Sequence, residues 1–463
     1  MIRNLLLSFV AALSGVACLA GSTIAGEAPG KPNVLFLFTD DQRPDTIAAL
    51  GNEHIQTPNL DRLAKSGTVF RNAYCMGSTR GAVCLPSRTM MHSGLSLFHL
   101  DRATPDRPHF AQTMNQLGYE TYHLSKRGNT PHALHKAFDH SAYLNDRAVR
   151  TSGYPGKVAA DAAIEFLEQR DGGQPFFMYI GFAGPHDPRV ANPEYLAKYD
   201  EATMPLPANY LPLHPFDNGE MTIRDESLAP WPRTKAEIRR HLRDYYAVIT
   251  HMDHQIGRIL DALKKTGEYD NTIIIFSSDH GLAVGSHGLM GKQNLYEHSM
   301  GTPLIFSGPG IPAGRTDAFA YLYDIFPTTV ELVGGKPPEG LDGKSLAGVI
   351  KGDRQQVRDT VFTAYKDVMR GVRRGDWKLI RYPQVNVSQL FNLRDDPYEQ
   401  HNLADDARHA DKLREMTTLL AAQQKEFDDT LPLTSDNPAP AEVNAEQLTA
   451  NKGKQRGQKP RKR

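Results

Sequence analysis

Four stretches of this chain carry an apolar run straight into residues that can do chemistry. Asn33-Val-Leu-Phe-Leu-Phe-Thr39 meets Asp40-Asp41. Adjacent carboxylates repel, and a hard cation is one reason to keep them together; capping the turn before Thr46 is the other. Asn271 to Ser278 meets Asp279-His280, a second acid-and-donor pair. Together the two pairs can form an oxygen-rich metal site, and four side chains with at most one imidazole favour Ca²⁺ or Mg²⁺ over zinc. Tyr119 to Ser125 meets Lys126-Arg127, and Pro175 to Phe182 leads to His186-Asp187. Cys84-Leu-Pro-Ser-Arg88 adds a thiol. Pro86 suits the first turn of a helix, which places Cys84 at a helix N-terminus, where an anion is favoured; an inert buried cysteine is the alternative.

These residues need a scaffold that brings them together. Unbroken apolar runs of strand length suit strands buried on both faces, as in parallel sheets. Helical patterns lie between them, at Pro58–Ser66, 156–169 and Lys235–Lys265. The alternation predicts a doubly wound α/β sheet, in which ligands bind beyond the carboxyl ends of the strands. All four polar clusters fall at that edge, so one site assembled from distant sequence is expected.

The Cys84-x-Pro86-Ser87-Arg88 run, with Gly94 six residues beyond Arg88, resembles the sulfatase motif. The strand-end clusters follow in the order that family uses. The likeness spans 31–429 and includes Gly340-Leu-Asp-Gly-Lys-Ser-Leu346 and Leu390-Phe-Asn-Leu-Arg-Asp-Asp-Pro-Tyr-Glu399. It implies an alkaline-phosphatase-like fold. It also implies that Cys84 is oxidised to formylglycine by a formylglycine-generating enzyme that reads Pro86 and Arg88. In the hydrated aldehyde one hydroxyl attacks sulfur and the other later helps expel sulfate. By the same resemblance Asp40, Asp41, Asp279 and His280 are metal ligands, joined by an oxygen of the modified Cys84. Arg88 steadies the hydrated aldehyde, Lys126 and Lys292 clamp the sulfate oxygens, and His186 protonates the leaving alcohol. One departure stands out. Relatives place a histidine, the base for sulfate release, two or three residues after the first lysine; here those positions are Gly128 and Asn129. His123, His132 and His135 are the candidates to replace it.

The implied activity is hydrolysis of a sulfate monoester, and the long insertion between His186 and Asp279 points to a carbohydrate sulfate. Arg189, the 204–226 loop with His214, Asp217, Asn218 and Arg224, and Tyr296-Glu297-His298 are expected to line the substrate pocket. A phosphate or phosphonate monoester hydrolase of the same fold is the alternative. A catalytically silent binder of sulfated glycans is a third reading, motivated by Gly128 and Asn129.

Beyond Pro337 the pattern changes. Short strands are expected at 361–365, 368–373 and Trp377–Tyr382, followed by a helix over 405–427, which makes a small antiparallel sheet with one helix. Trp377 and Tyr382 are candidates for a pocket wall, with core packing the stronger reading for Trp377. The predicted organisation is a signal peptide at 1–25, a catalytic α/β domain at 30–340, a C-terminal subdomain at 345–430 and a disordered basic tail at 434–463. Arg3, the apolar run from Leu5 to Ala20 and Thr23-Ile24-Ala25 read as an export signal, hence a periplasmic or extracellular protein without a transmembrane segment. Three cysteines make no disulfide framework.

Over 463 residues, 53 Lys plus Arg balance 53 Asp plus Glu. Residues 1–25 hold one base and 452–463 hold seven, so the stretch between keeps 45 bases against 53 acids, a net of −8. An acidic body excludes a general nucleic-acid binder.

Overall fold

In the computed structural model of the chain, which describes residues 30–448 apart from 105, 130, 444 and 447, the apolar runs become the middle of a nine-stranded sheet. Strand β1 is Asn33–Asp40, buried at every position. It is followed by α1 (Pro58–Ser66), β2 (Thr68–Tyr74), α2 (Cys84–Ser93), β3 (Glu120–Lys126), β4 (His140–Leu144), α3 (Asp146–Thr151), α4 (Lys157–Gln169), β5 (Phe176–Pro185), α5 (Lys235–Lys265) and β6 (Thr272–Ser278). Strands β7 (Leu304–Ser307) and β8 (Gly314–Tyr321) complete the main order, which runs β8-β2-β7-β6-β1-β5-β3-β4. The four strands whose ends carry chemistry, β6, β1, β5 and β3, are neighbours and parallel, with Val34 opposite both Phe177 and Ile273.

Alternation along each strand feeds two cores. Phe36, Phe38, Phe177 and Tyr179 face one side, with Met90 and Met91 of α2. Leu35, Leu37, Met178 and Ile180 face the other, with Leu60 and Leu63 of α1 and Tyr245, Met252 and Ile256 of α5. A strand apolar on both faces is what a sheet covered by helices on both sides requires. Helix α5 keeps its predicted ends because Thr234 caps it, its side chain accepting from Glu237 N.

A second sheet follows the order β12-β11-β10-β9, from β9 (Thr360–Tyr365), β10 (Met369–Arg374), β11 (Trp377–Tyr382) and β12 (Val387–Asn392), and α6 (Ala410–Glu426) packs on it. Strand β12 was not anticipated. Strand β9 pairs in parallel with Gly77–Ser78, tying this sheet to the segment just before α2. A side chain at Gly77 would meet the Ala364 carbonyl oxygen at 1.9 Å, so this close approach needs glycine. Residues from Lys31 on form one compact unit.

The stretch read as a tail, 434–463, is described only in its first part. Residues 434–443 are pinned to the body, with Ala439 N donating to Gln384 O at 2.9 Å and Asp217 N donating to Ala441 O at 2.8 Å. Residues 1–25, read as a signal, and 449–463, the end of the basic tail, lie outside the described residues. Among the described residues, no helix is long and apolar enough to cross a membrane.

Candidate functional site

Strand β1 ends in Asp40, and Asp41 follows with φ of 68°, a left-handed conformation uncommon for a side chain of this size. The turn is held by two bonds: Asp41 N donates to Asp279 Oδ1 at 3.0 Å, and Tyr245 Oη donates to Asp41 O at 2.6 Å. Through it, both carboxylates enter one cluster. Beyond β6, Asp279 and His280 enter from the side, and α2 brings Cys84 as its first residue. Asp40, Asp41, Cys84, Asp279 and His280 are all buried, with potential ligand atoms within 4.8 Å of one another. Cys84 Sγ lies 3.4 Å from Asp40 Oδ1, 3.2 Å from His280 Nε2 and 3.2 Å from Lys292 Nζ.

The positive charges surround this cluster. Arg88, fully buried one turn along α2, donates from Nε to Asp279 Oδ2 at 3.2 Å and lies 3.3 Å from Asp40 Oδ2; Tyr179 Oη is 3.2 Å from its Nη1. Lys126 Nζ donates to Asp40 Oδ2 at 2.7 Å, and Lys292 Nζ donates to Asp41 Oδ1 at 2.7 Å. His186 points Nε2 toward Asp41 Oδ2 at 4.0 Å, while its Nδ1 is 2.7 Å from Asp187 O and 3.1 Å from Arg150 Nη1. The structure thus gathers every residue singled out for the site: Cys84, Arg88, Lys126, His186 and Lys292 with Asp40, Asp41, Asp279 and His280.

The electrostatics follow from burial and pairing. Burial raises Asp40, but Lys126 and then Arg88 outweigh it and hold the carboxyl well below the usual range. Burial lowers Lys292, yet Asp41 and its other anionic neighbours keep the ammonium well above its ordinary value. Burial and the Asp40 carboxylate push the Cys84 thiol well up, so the unmodified thiol is a weak nucleophile.

Other expectations need correction. His123 is engaged elsewhere, with Nε2 3.0 Å from Ser125 Oγ and Nδ1 3.1 Å from Ser141 Oγ. His135 packs against His123, with tilted rings whose centroids are 4.1 Å apart, and lies 3.3 Å from Tyr143 Oη. The side chain of His132 lies outside the described residues. What reaches the cluster from this loop is Asn129, whose Nδ2 donates to Asp40 Oδ2 at 2.9 Å.

The supposed sugar readers hold their own loop. His214 is fully buried between Phe216 O and Tyr296 Oη, and Asp217 and Asn218 accept from the backbone of Gly219 and Glu220. Arg224 is the exception: it pairs with Asp225 but also reaches out of the loop to Asp187, beside His186, with its side chain 58% exposed. Tyr296 and His298 are buried, and Glu297 pairs with Arg373 and Lys378. Trp377 packs against His409 and Lys412, and the Tyr382 hydroxyl donates to Gln389. The small sheet instead sends Tyr365 toward the site, its hydroxyl 3.2 Å from Gly81 O.

Several residues near the site had no signal in the sequence. Asp225 lies 4.0 Å from Lys292 Nζ and accepts from Gln293 Nε2 at 2.9 Å. Glu226, paired with buried Arg233 at 2.6 Å, accepts from Met290 N and Gly291 N and so fixes the loop that carries Lys292. Acids in a Pro-rich loop show nothing of their partners until the chain folds.

Comparison with known proteins bears on this arrangement. Residues 32–335 match the family model described as Sulfatase, and 285–426 match the one described as N-sulphoglucosamine sulphohydrolase, C-terminal. The chain is 27% identical to an N-acetylglucosamine-6-O-sulfatase of Bacteroides thetaiotaomicron, covering 91% of each chain. Its fold is similar to that of a protein solved in complex with its substrate D-glucosamine-2-N,6-O-disulfate, with a TM-score of 0.74 at 24% identity over 88% of this chain and 100% of the other. It is also similar to a phosphonate monoester hydrolase of Agrobacterium radiobacter, with a TM-score of 0.70 at 22% identity over 86% of this chain and 96% of the other. The sheet with its smaller C-terminal companion is therefore the alkaline-phosphatase-like architecture implied by the sequence motifs.

Proposed function

The chain belongs to the sulfatase family of sulfuric ester hydrolases, and from that premise we propose that it hydrolyses sulfate monoesters of carbohydrates, using formylglycine made from Cys84. The observation that carries this reading is the position of Cys84 Sγ, with three carboxylates and His280 on one side and the Lys292 ammonium 3.2 Å away on another. Oxidation of Cys84 by a formylglycine-generating enzyme supplies the nucleophile. Lys126 and Lys292 hold the sulfate oxygens, where charge gathers in the transition state, and Arg88 locks Asp40 against Asp279. His186, 15% exposed, faces the cluster through Nε2 and donates the proton that the leaving alcohol needs.

Asp40, Asp41, Asp279 and His280 suit a hard divalent cation, which when bound polarises the sulfate oxygens and orients the nucleophile. Calcium is the cation of this reading, with magnesium as the alternative, since oxygen donors with one imidazole suit a hard ion.

Export to the periplasm or beyond follows from the signal read in 1–25. The substrates named for relatives make a glucosamine 6-sulfate the first sugar to assay. Two other readings have support. The phosphonate hydrolase likeness favours phosphorus esters, and Asn129, which cannot accept a proton where a base is expected, favours a silent glycan binder. Turnover of 4-nitrophenyl sulfate is expected to exceed that of 4-nitrophenyl phosphate; a phosphate preference of about tenfold or more would sink the sulfatase assignment. Mass spectrometry of the Cys84 peptide from the native host is expected to show the aldehyde. An intact thiol with no sulfate release would leave the binder.

A further inference from the structure

Beyond the motif residues, one short helix touches two members of the site at once. Strand β4 pairs with β3 so that Leu144 lies opposite Lys126. Two residues later the chain enters α3, whose first residue is Asp146, and the Asn145 side chain caps it by accepting from Ala148 N. The register thereby sets Asp146 beside Lys126, with Asp146 Oδ1 3.5 Å from Lys126 Nζ. One turn on, Arg150 closes a two-pronged pair back to Asp146, Nε to Oδ1 at 2.9 Å and Nη2 to Oδ2 at 2.7 Å. The remaining arm of Arg150 lies against the His186 ring, Nη1 3.1 Å from Nδ1; as an acid His186 carries a proton there and donates it to Asp187 O at 2.7 Å, so the arm bounds the ring by packing and charge and not by a hydrogen bond. Carboxylate and guanidinium in this fork geometry form a stiff unit, because both torsions are fixed by two parallel bonds. The chain of contacts runs from Asp40 through Lys126, Asp146 and Arg150 to His186, which in turn faces Asp41, so it starts and ends on the adjacent carboxylates at the end of β1.

Resting on the reading of Lys126 as a sulfate-holding cation and His186 as the proton donor, we infer that Asp146 is a positioning residue that fixes the distance between them. Lys126 faces the sulfate oxygens that stay, and His186 faces the oxygen that leaves with the alcohol. The scissile S–O bond lies between those two points, so their spacing decides whether both are served in the same complex. Asp146 is one-third exposed and Arg150 lies partly under it, so replacing the carboxylate disturbs little of the core.

The role predicts a dependence on the leaving group that mere loosening of the fold would not give. The variants Asp146→Asn and Asp146→Glu are to be compared with wild type on 4-nitrophenyl sulfate, whose phenolate leaves unaided, and on N-acetylglucosamine 6-sulfate, whose alkoxide needs a proton. Asp146→Asn is expected to lower kcat/KM about tenfold or more on the sugar sulfate and about threefold or less on the aryl sulfate. It should also weaken competitive inhibition by inorganic sulfate, since Lys126 loses its second anchor. Asp146→Glu should restore part of both. Equal losses on both esters without rescue by glutamate would reduce Asp146 to a structural residue and overturn the inference. So would Asp146→Asn activity within twofold of wild type on both. A wild-type protein that turns over neither ester would instead overturn the functional reading, and this role with it.

Discussion

At the strand ends Asp40, Asp41 and Asp279 face Arg88, Lys126 and Lys292; where the two sheets meet, Glu297 and Glu399 face Arg373 and Lys378. Both clusters balance their charges, yet they are built differently. In the second, every charge is paired within the cluster. Lys378 Nζ lies 2.7 Å from each glutamate, Tyr74 Oη donates to Glu297 Oε2 at 2.6 Å, and Glu297 N donates to Glu399 Oε2 at 2.8 Å. The first draws its cations from separate elements, Arg88 from α2, Lys126 from the end of β3 and Lys292 from a loop, onto three carboxylates that converge within 4.8 Å. A divalent cation and the sulfate dianion released as product add equal and opposite charge, so the strand-end cluster can hold both without a net change. The second cluster uses its pairs to hold the small sheet to the large one. Balanced charge alone therefore does not identify a site; carboxylates that converge on one point do.

Four measurements would break or sharpen that contrast. Cys84→Ala should lower turnover by at least about 10³-fold while thermal unfolding stays near wild type; wild-type-like turnover would refute the nucleophile assignment. Lys378→Met should do the reverse. Leaving two buried carboxylates short of a partner is expected to cost about 3–5 kcal/mol in denaturant unfolding, with kcat of the folded protein unchanged; a loss of kcat instead would merge the two clusters functionally. Asp279→Asn should weaken metal binding about 10–100-fold, read from the calcium concentration needed for half-maximal activity. An unchanged requirement would remove Asp279 from the ligand set.

The smallest effect concerns pH. Burial raises Glu399, and Glu297 adds to it against the pull of Lys378, so its carboxyl is pushed up to about 7, while Lys378 and Arg373 overcome burial to hold Glu297 at about 2. Glu399 binds its proton more tightly folded than unfolded. Its contribution to stability is full below its ordinary value of 4.5 and is lost as pH rises through about 7. Glu297 contributes the opposite way, with stability present above 4.5 and lost as pH falls toward about 2. Glu399→Gln should flatten the decline of Tm between about pH 5 and 7.5; an unaltered slope would place that titration elsewhere.

What could be read in advance divides along the same line. Runs such as 33–39 and 272–278 announce buried parallel strands because composition alone records burial on both faces, and their ends announced the site. Helices Pro58–Ser66 and Lys235–Lys265 kept their predicted limits because proline and a threonine cap mark them locally. Partnerships across the fold were hidden. Asn129 on Asp40, Asp225 beside Lys292 and the Asp146-Arg150 fork depend on register and loop closure, which no local pattern encodes. For the same reason His214 and Tyr296, polar groups that could have read a sugar, turned out to satisfy each other inside the protein. Strand β12 escaped notice because its edge position needs little apolar alternation.

The burial of α2 also sets a clock. Pro86 and Arg88 are buried, and Cys84 is only 6% exposed, so if Cys84 is converted as proposed, the converting enzyme finds its motif covered once the fold has closed. Ser87 donates to Asp279 O across 192 positions of sequence, and α2 packs against 322–332, which lie later still. At about 5–20 residues per second a ribosome takes roughly 10–40 s to cover the first of those distances. The partners of the Cys84 segment thus arrive long after it, making maturation of this protein a matter of when as much as of where.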